Sequence, residues 1–471
     1  MSHERGVPVP DDTTAPPHRR RRGRAHRTAW RLLLAVFLAA GCSNSAPDDG
    51  GDAGGAPEGE EITGAGANAG PAPVYGDGWS AVHADAANTD YARVDGPADV
   101  TLAWERSFDG TINLGATISP SGRVHVTSTS PGCHLHVLDG ATGETLWCSD
   151  EVGRLAVISS PLLDQDGHIY LADAEAMHAF DPDGGLLWES PIVGVPLSAQ
   201  FTPAADVAFI TNVGHIYVLD RATGAQVVAP HELVPGATFD PAGGVMACAM
   251  GTAECPSANT PAVDLATGRF FFTFWEPGAE AAGIRAVQIT EGRSPAISPL
   301  WTNDTLPGGS GSSPVLSADG SRVYLNDNAG NLQALDAATG DQIWSLPIGY
   351  ATGGSPSLSP DGLIMPAGGG RAAVVAVADR GDHGEVTWRQ DAWLNRGVST
   401  QADGGKAYVT VNREDQQNDI VVVDTATGDE LDREPLPGDT GFTVGTTLGP
   451  DGTVYVPTIR GQLFAFRPAD A

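Results

Sequence analysis

Few residues in this chain combine reactive chemistry with the spacing of a site. His125, His134 and His136 fall on what read as adjacent strands. His134 and His136 sit two apart on one strand and so share a face, as metal ligands must. Histidines on an ordinary sheet surface show the same pattern, so it assigns no metal. Asn326-Asp327-Asn328 with Asn331 offers the hard oxygens that Ca²⁺ takes, yet without EF-hand spacing and where a hairpin turn belongs. No Gly-x-Ser-x-Gly elbow, His-Glu-x-x-His pair or phosphate-binding loop occurs. No catalytic set is assigned.

The elements that must carry these residues are written in a repeat. Val137-Leu138-Asp139, then Thr142-Gly143, then Leu146-Trp147 returns as Ala334-Leu335-Asp336, Thr339-Gly340 and Ile343-Trp344. Worn copies centre on Asp181, Asp220 and Asp424. The first steps are 42 and 39 residues, the period of a four-stranded propeller blade. Each copy is a hairpin: Asp opens the turn, its carboxylate bonding backbone amides two residues on, and Gly takes the position needing positive φ. A second signature precedes it, as in Ser160-Pro161 with Asp166-Gly167 or Ser313-Pro314 with Asp319-Gly320, and reads as two inner strands joined by an Asp-Gly turn.

Openings near Ala116, Ser159, Ala199, Thr260, Ser312, Gly354, Ser399 and Gly445 count eight blades. Asp264-Leu-Ala-Thr267-Gly268 mimics the outer phrase, but its Thr260-Pro261 start places it as an inner hairpin. The last blade ends at Phe464-Ala465-Phe466, one strand short, while Leu102-Ala103-Trp104 has no partner hairpin. The expected fold is all-β: an eight-bladed β-propeller of four-stranded blades, its ring closed by an N-terminal strand that completes the last blade. Closure removes the open sheet edges that invite aggregation.

These repeats resemble the pyrroloquinoline-quinone (PQQ)-type propeller repeat, over about Trp79 to Phe466. Within that family the overall shape is most similar to the propeller lipoproteins of the outer-membrane β-barrel assembly machinery. The resemblance implies that Trp104, Trp147, Trp188, Trp344 and Trp388 dock each blade on its neighbour. For enzymatic members it also implies a quinone stacked on Trp, capped by a disulfide of adjacent cysteines and polarised by Ca²⁺. This chain has no Cys-Cys dipeptide and no matching carboxylate–amide set, so no cofactor is expected, with PQQ and Ca²⁺ as the alternative. Trp275 and Trp393 lie off the docking position and are the candidates for a recognition surface, against packing under a long loop.

The N-terminus reads as an address. Arg19–Arg22 and further arginines precede the nine-residue apolar run Leu32–Ala40, too short to span a bilayer. Leu38-Ala39-Ala40-Gly41-Cys42 resembles a lipobox, with Cys42 acylated. Residues 1–41 are expected to be a lipoprotein signal peptide, 42–73 a disordered acidic Gly/Ala-rich tether, and 74–471 the propeller. The leader holds eight Arg against Glu4, Asp11 and Asp12, so its removal takes the formal net charge from −32 to −37. Such a surface repels nucleic acid and anionic headgroups. Behind an export signal, an even set of four cysteines reads as two disulfides, against four free thiols. Cys133 and Cys148 flank the Asp139–Gly143 turn, and Cys248 and Cys255 close a small loop in the 229–259 insertion. The expected role is a monomeric, lipid-anchored, non-catalytic binding or scaffold module for envelope proteins; the alternative is a quinone- or metal-dependent oxidoreductase.

Overall fold

A computed structural model describes residues 74–240, 248, 250–257, 259–369, 372–413 and 417–469. The expected signal peptide, Cys42 and the tether lie outside them. Within the described residues the strands form eight sheets. Blade 1 runs outward from the axis as Thr117–Ile118, Arg123–Thr127, Leu135–Asp139 and Thr145–Ser149. Blades 2 to 7 open at Leu162, Gln200, Ala262, Val315, Ser357 and Thr400, and blade 8 at Thr447, each one to three residues after its expected start. Asp264 does belong to an inner hairpin: Ala262–Asp264 pairs with Arg269–Phe274, and Ala282–Thr290 and Ala296–Leu306 lie outside it. The ring closes as the sequence requires. Val100–Ser107 runs antiparallel to Gln462–Pro468, with Trp104 opposite Ala465, and completes blade 8 from the other end of the chain.

The turn phrase works as a docking device. In blade 1, Asp139 Oδ1 accepts from the Thr142 amide and hydroxyl, and Gly143 takes φ +72°. That glycine presents a bare surface to the Trp of the preceding blade: a Cβ there would lie 2.7 Å from Trp104. The same apposition joins Trp147 to Gly184, Trp188 to Gly224, Trp344 to Gly384 and Trp388 to Gly428. Each indole N–H is satisfied on the next blade, Trp188 for example on the Arg221 carbonyl at 2.9 Å. Trp301, absent from the docking set read in the sequence, packs on Gly340 and donates to Ala337 O at 3.1 Å.

Two junctions lack the tryptophan, and a carboxylate on a backbone amide stands there instead. Between blades 3 and 4, Glu291 accepts from Ala204 N at 3.0 Å and from the Thr202 hydroxyl. Between blades 7 and 8, Asp432 accepts from Val100 N at 2.8 Å. Asp206, facing Glu291, is raised to about 7 by burial and that neighbouring charge. A carboxyl raised in this way can mark a catalytic site elsewhere; here it lies beside the Glu291 contacts that join the two blades.

Trp188→Ala should lower the unfolding free energy by about 3 kcal/mol, since it removes a buried indole. Gly224→Ala should cost about 2 kcal/mol through positive φ and collision with that indole. Chemical denaturation followed by tryptophan fluorescence reads both.

Candidate functional site

The centre of the ring is filled by the chain itself. Residues 74–91 lie across the axis and meet one backbone N–H in each of seven consecutive blades. Trp79 exchanges two bonds of 2.9 Å with Ile118 of blade 1, and Ser80 O accepts from Leu163 of blade 2. Ala86, Ala87, Thr89 and Asp90 carbonyls accept from Val263, Leu316, Leu358 and Gln401 of blades 4 to 7, at 2.7–3.0 Å. Blade 3 is reached by a side chain: the Tyr75 hydroxyl accepts from Phe201 N at 3.0 Å and donates to Gln200 Oε1 at 2.7 Å. All seven amides occupy the same position, the second residue of an inner strand. Asn88 binds Thr260 O and Pro314 O through its amide. Ala84, Asn88 and Asp90 take positive φ, a local strain that the surrounding contacts hold in place. The irregular stretch before the ring is thus an axial plug.

The plug carries a Ser–His–Asp constellation. His83 Nδ1 lies 2.8 Å from Asp90 Oδ2, and Nε2 lies 3.1 Å from Ser313 Oγ and 3.3 Å from Ser355 Oγ. Acyl transfer also needs amide donors for the oxyanion. Ser313 N–H is already spent on Ser355 Oγ at 2.9 Å. Both serines are followed by proline, Pro314 and Pro356, which has no N–H to give. The group therefore acts as a pin between the plug and blades 5 and 6. Burial raises Asp90 to about 6, against the opposing pull of His83 and with Asp85 adding to the rise.

At the opposite end of the blades, where their middle strands turn, the described residues of the 229–259 insertion contact blades 2 to 5. Cys248 and Cys255 form a disulfide packed with Val157, Ile158, Val195 and Leu197. Asn328 donates to Met250 O at 2.7 Å and to Gly308 O at 2.9 Å, while Asp327 accepts from Asn331 and Gln333. Asp327 and Asn328 thus form a clamp, while the amide group of Asn326 is buried without a partner. Cys133 and Cys148 form the second disulfide. The three histidines do not converge: His125 bonds Thr117 O, His134 bonds Val152 O, and His136 faces Ser128 and Cys133. Burial pushes His125 and His136 down to about 4.

Trp275 and Trp393 are half-buried. The indole of Trp275 donates to Ala279 O at 3.1 Å and packs with Ala262, Phe271 and Ala282. Trp393 packs beside Trp388 with the Arg433 guanidinium 5.6 Å from its ring. Two apolar side chains on the insertion-bearing end are more open: Met250 is 52% exposed and Phe442 43%, the latter under Arg396 at 4.8 Å. Nothing in their spacing singled them out.

The described residues do not form the quinone site that the resemblance implies for enzymatic members. The cysteines of the two disulfides are 15 and 7 apart in sequence. Six tryptophans are committed to blade junctions, Trp79 on the axis is fully buried, and Trp275 and Trp393 are half-buried in side-chain clusters.

The repeat, the docked tryptophans and the closed ring define a propeller of the PQQ-repeat class. A profile of the family described as outer membrane protein assembly factor BamB matches residues 56–231 and 173–360. Protein Rv3035 of Mycobacterium tuberculosis (strain ATCC 25618 / H37Rv) is 33% identical over 398 residues, 83% of this chain and 96% of that protein. The chain belongs to the BamB family. BamB from Moraxella catarrhalis superposes at 17% identity with a TM-score of 0.51, covering 78% of this chain and 99% of that one. The quinohemoprotein alcohol dehydrogenase of Comamonas testosteroni does so at 15% and 0.57, covering 86% and 82%. At such identities the structural likeness is one of fold alone.

A buried carboxyl whose folded pKa lies above its unfolded value stabilises the fold most when protonated. That contribution is full below about pH 4 and is lost as pH rises through about 6. The melting temperature of the wild type relative to Asp90→Asn should therefore fall between pH 4 and pH 7. A constant difference across that window would remove Asp90 from the account.

Proposed function

We propose that the chain is an exported, lipid-anchored propeller that serves as a non-catalytic binding or scaffold module for envelope proteins. The observation that carries this reading is the plug: the place where eight blades converge is spent on the chain's own backbone. Membership of a family described as assembly factors supports it, as does the absence of a fit for the quinone. The end of the ring bearing the insertion carries the exposed Met250 and Phe442, and it is the face this reading offers to a partner.

Two measurements test this reading. The purified chain, mixed with PQQ and Ca²⁺, should show neither saturable quinone absorbance nor dye reduction with alcohols or sugars; turnover would establish the oxidoreductase alternative. Cys42→Ser should move the protein from the membrane to the soluble fraction. Retention on the membrane would refute the lipid anchor.

A further inference from the structure

The disulfide in blade 1 differs from the one in the insertion. Cys248 and Cys255 are 1% and 2% exposed, and the cluster around them is apolar. Cys148 is exposed on the outer strand, while Cys133 is buried in the loop after the second strand. Cys148 is the direct cross-strand partner of His136, so both side chains stand on one face of the sheet. One ligand atom from each of Cys133, His136 and Cys148 lies within 4.8 Å of the others.

The partners of His136 place each ring nitrogen. Ser128 donates its hydroxyl proton to Ser130 Oγ at 2.8 Å. Ser128 Oγ lies 2.8 Å from His136 Nε2 and is an acceptor for its proton in the Nε2–H tautomer. Nδ1 faces Cys133 Sγ at 3.2 Å and is the nitrogen open to a ligand in that tautomer. Phe108 packs edge-on against the ring, 4.6 Å between centroids, and holds its plane. A metal-binding histidine has this arrangement: one nitrogen anchored by an outer partner, the other aimed at the ligand set. In tetrahedral coordination with Zn–S of about 2.3 Å and Zn–N of about 2.0 Å, nitrogen and sulfur sit roughly 3.5 Å apart and the sulfurs roughly 3.8 Å. The first separation is nearly present already, and the second requires only that the thiols part.

We propose that reduction of Cys133–Cys148 converts this corner of blade 1 into a Cys₂His site for a thiophilic divalent ion such as Zn²⁺. A dithiol supplies two electrons and two protons: its own sulfurs join as a disulfide, and the cystine becomes two thiols. The incoming ion displaces both thiol protons to solvent and takes Cys133 Sγ, Cys148 Sγ and His136 Nδ1, with water at the exposed fourth position. The buried Cys248–Cys255 bridge stays closed. The site is independent of the role proposed above.

The test uses the full chain carrying Cys42→Ser, reduced with a phosphine, desalted without oxygen and titrated with Co²⁺. One equivalent should produce a near-ultraviolet thiolate-to-cobalt band that Zn²⁺ bleaches. The oxidised chain should give none. Zn²⁺ should protect Cys133 and Cys148 from alkylation, as read by peptide mass spectrometry. Cys148→Ser should abolish the band, Ser128→Ala should weaken binding about tenfold by releasing Nε2, and His136→Ala should weaken it further. The proposal fails if the reduced chain gives no band, or if the band survives unchanged in His136→Ala. It fails equally if reduction abolishes the sheet circular dichroism and Zn²⁺ does not restore it.

Discussion

Seven amides, one on each inner strand from blade 1 to blade 7, look into the axis and need acceptors. Residues 74–91 provide them. A buried amide left without a partner costs more than a made hydrogen bond returns, so the whole centre of the ring leans on this segment. The small residues that open the blades, from Ala116 and Ser159 to Ser399 and Gly445, fit this arrangement. They leave room for blades to converge, and also for a chain to lie across them. The strained backbone at Asn88 and Asp90 follows from the same demand, because a single strand must turn to face successive blades within a few residues.

Between blades the logic changes from amides to surfaces. A tryptophan on one outer strand meets a glycine in the next turn, and the fit depends on the glycine having no side chain. Where that pair is missing, a carboxylate reaches a neighbouring amide. The apolar dock gains from burying area; the polar one must offset the desolvation of a charge, and the raised pKa of Asp206 beside Glu291 shows that cost locally. These features define the fold, and a fold of this kind does not by itself say what the ring binds.

The repeat made the architecture legible in advance, down to the false copy at Asp264 and the displaced strand at Trp104, because turn chemistry ties residue type to backbone geometry. Trp301 escaped the docking set because the turn before it, Glu291-Gly292-Arg293, lacks the Asp-x-x-Thr-Gly phrase that marked the others. The plug was invisible for a different reason. Six of the seven inner-strand amides it meets bond to its carbonyls, which every residue has, so no side-chain pattern announces them. His136 could be placed on a strand face from sequence, but the approach of its ring nitrogens to Ser128 and Cys133 exists only in the folded hairpin.

The strand that closes the ring is among the first to be made, and its partner is nearly the last. Val100–Ser107 waits for Gln462–Pro468, and the plug ahead of it waits for blades that follow one by one. Loop closure over such a span is entropically slow, and in the meantime an unpaired edge and an apolar segment stand open. A chain emerging N-terminus first therefore cannot reach its stable form until its final strand has arrived. A copy truncated in blade 8 loses the closing pair and leaves Val100–Ser107 as an open sheet edge.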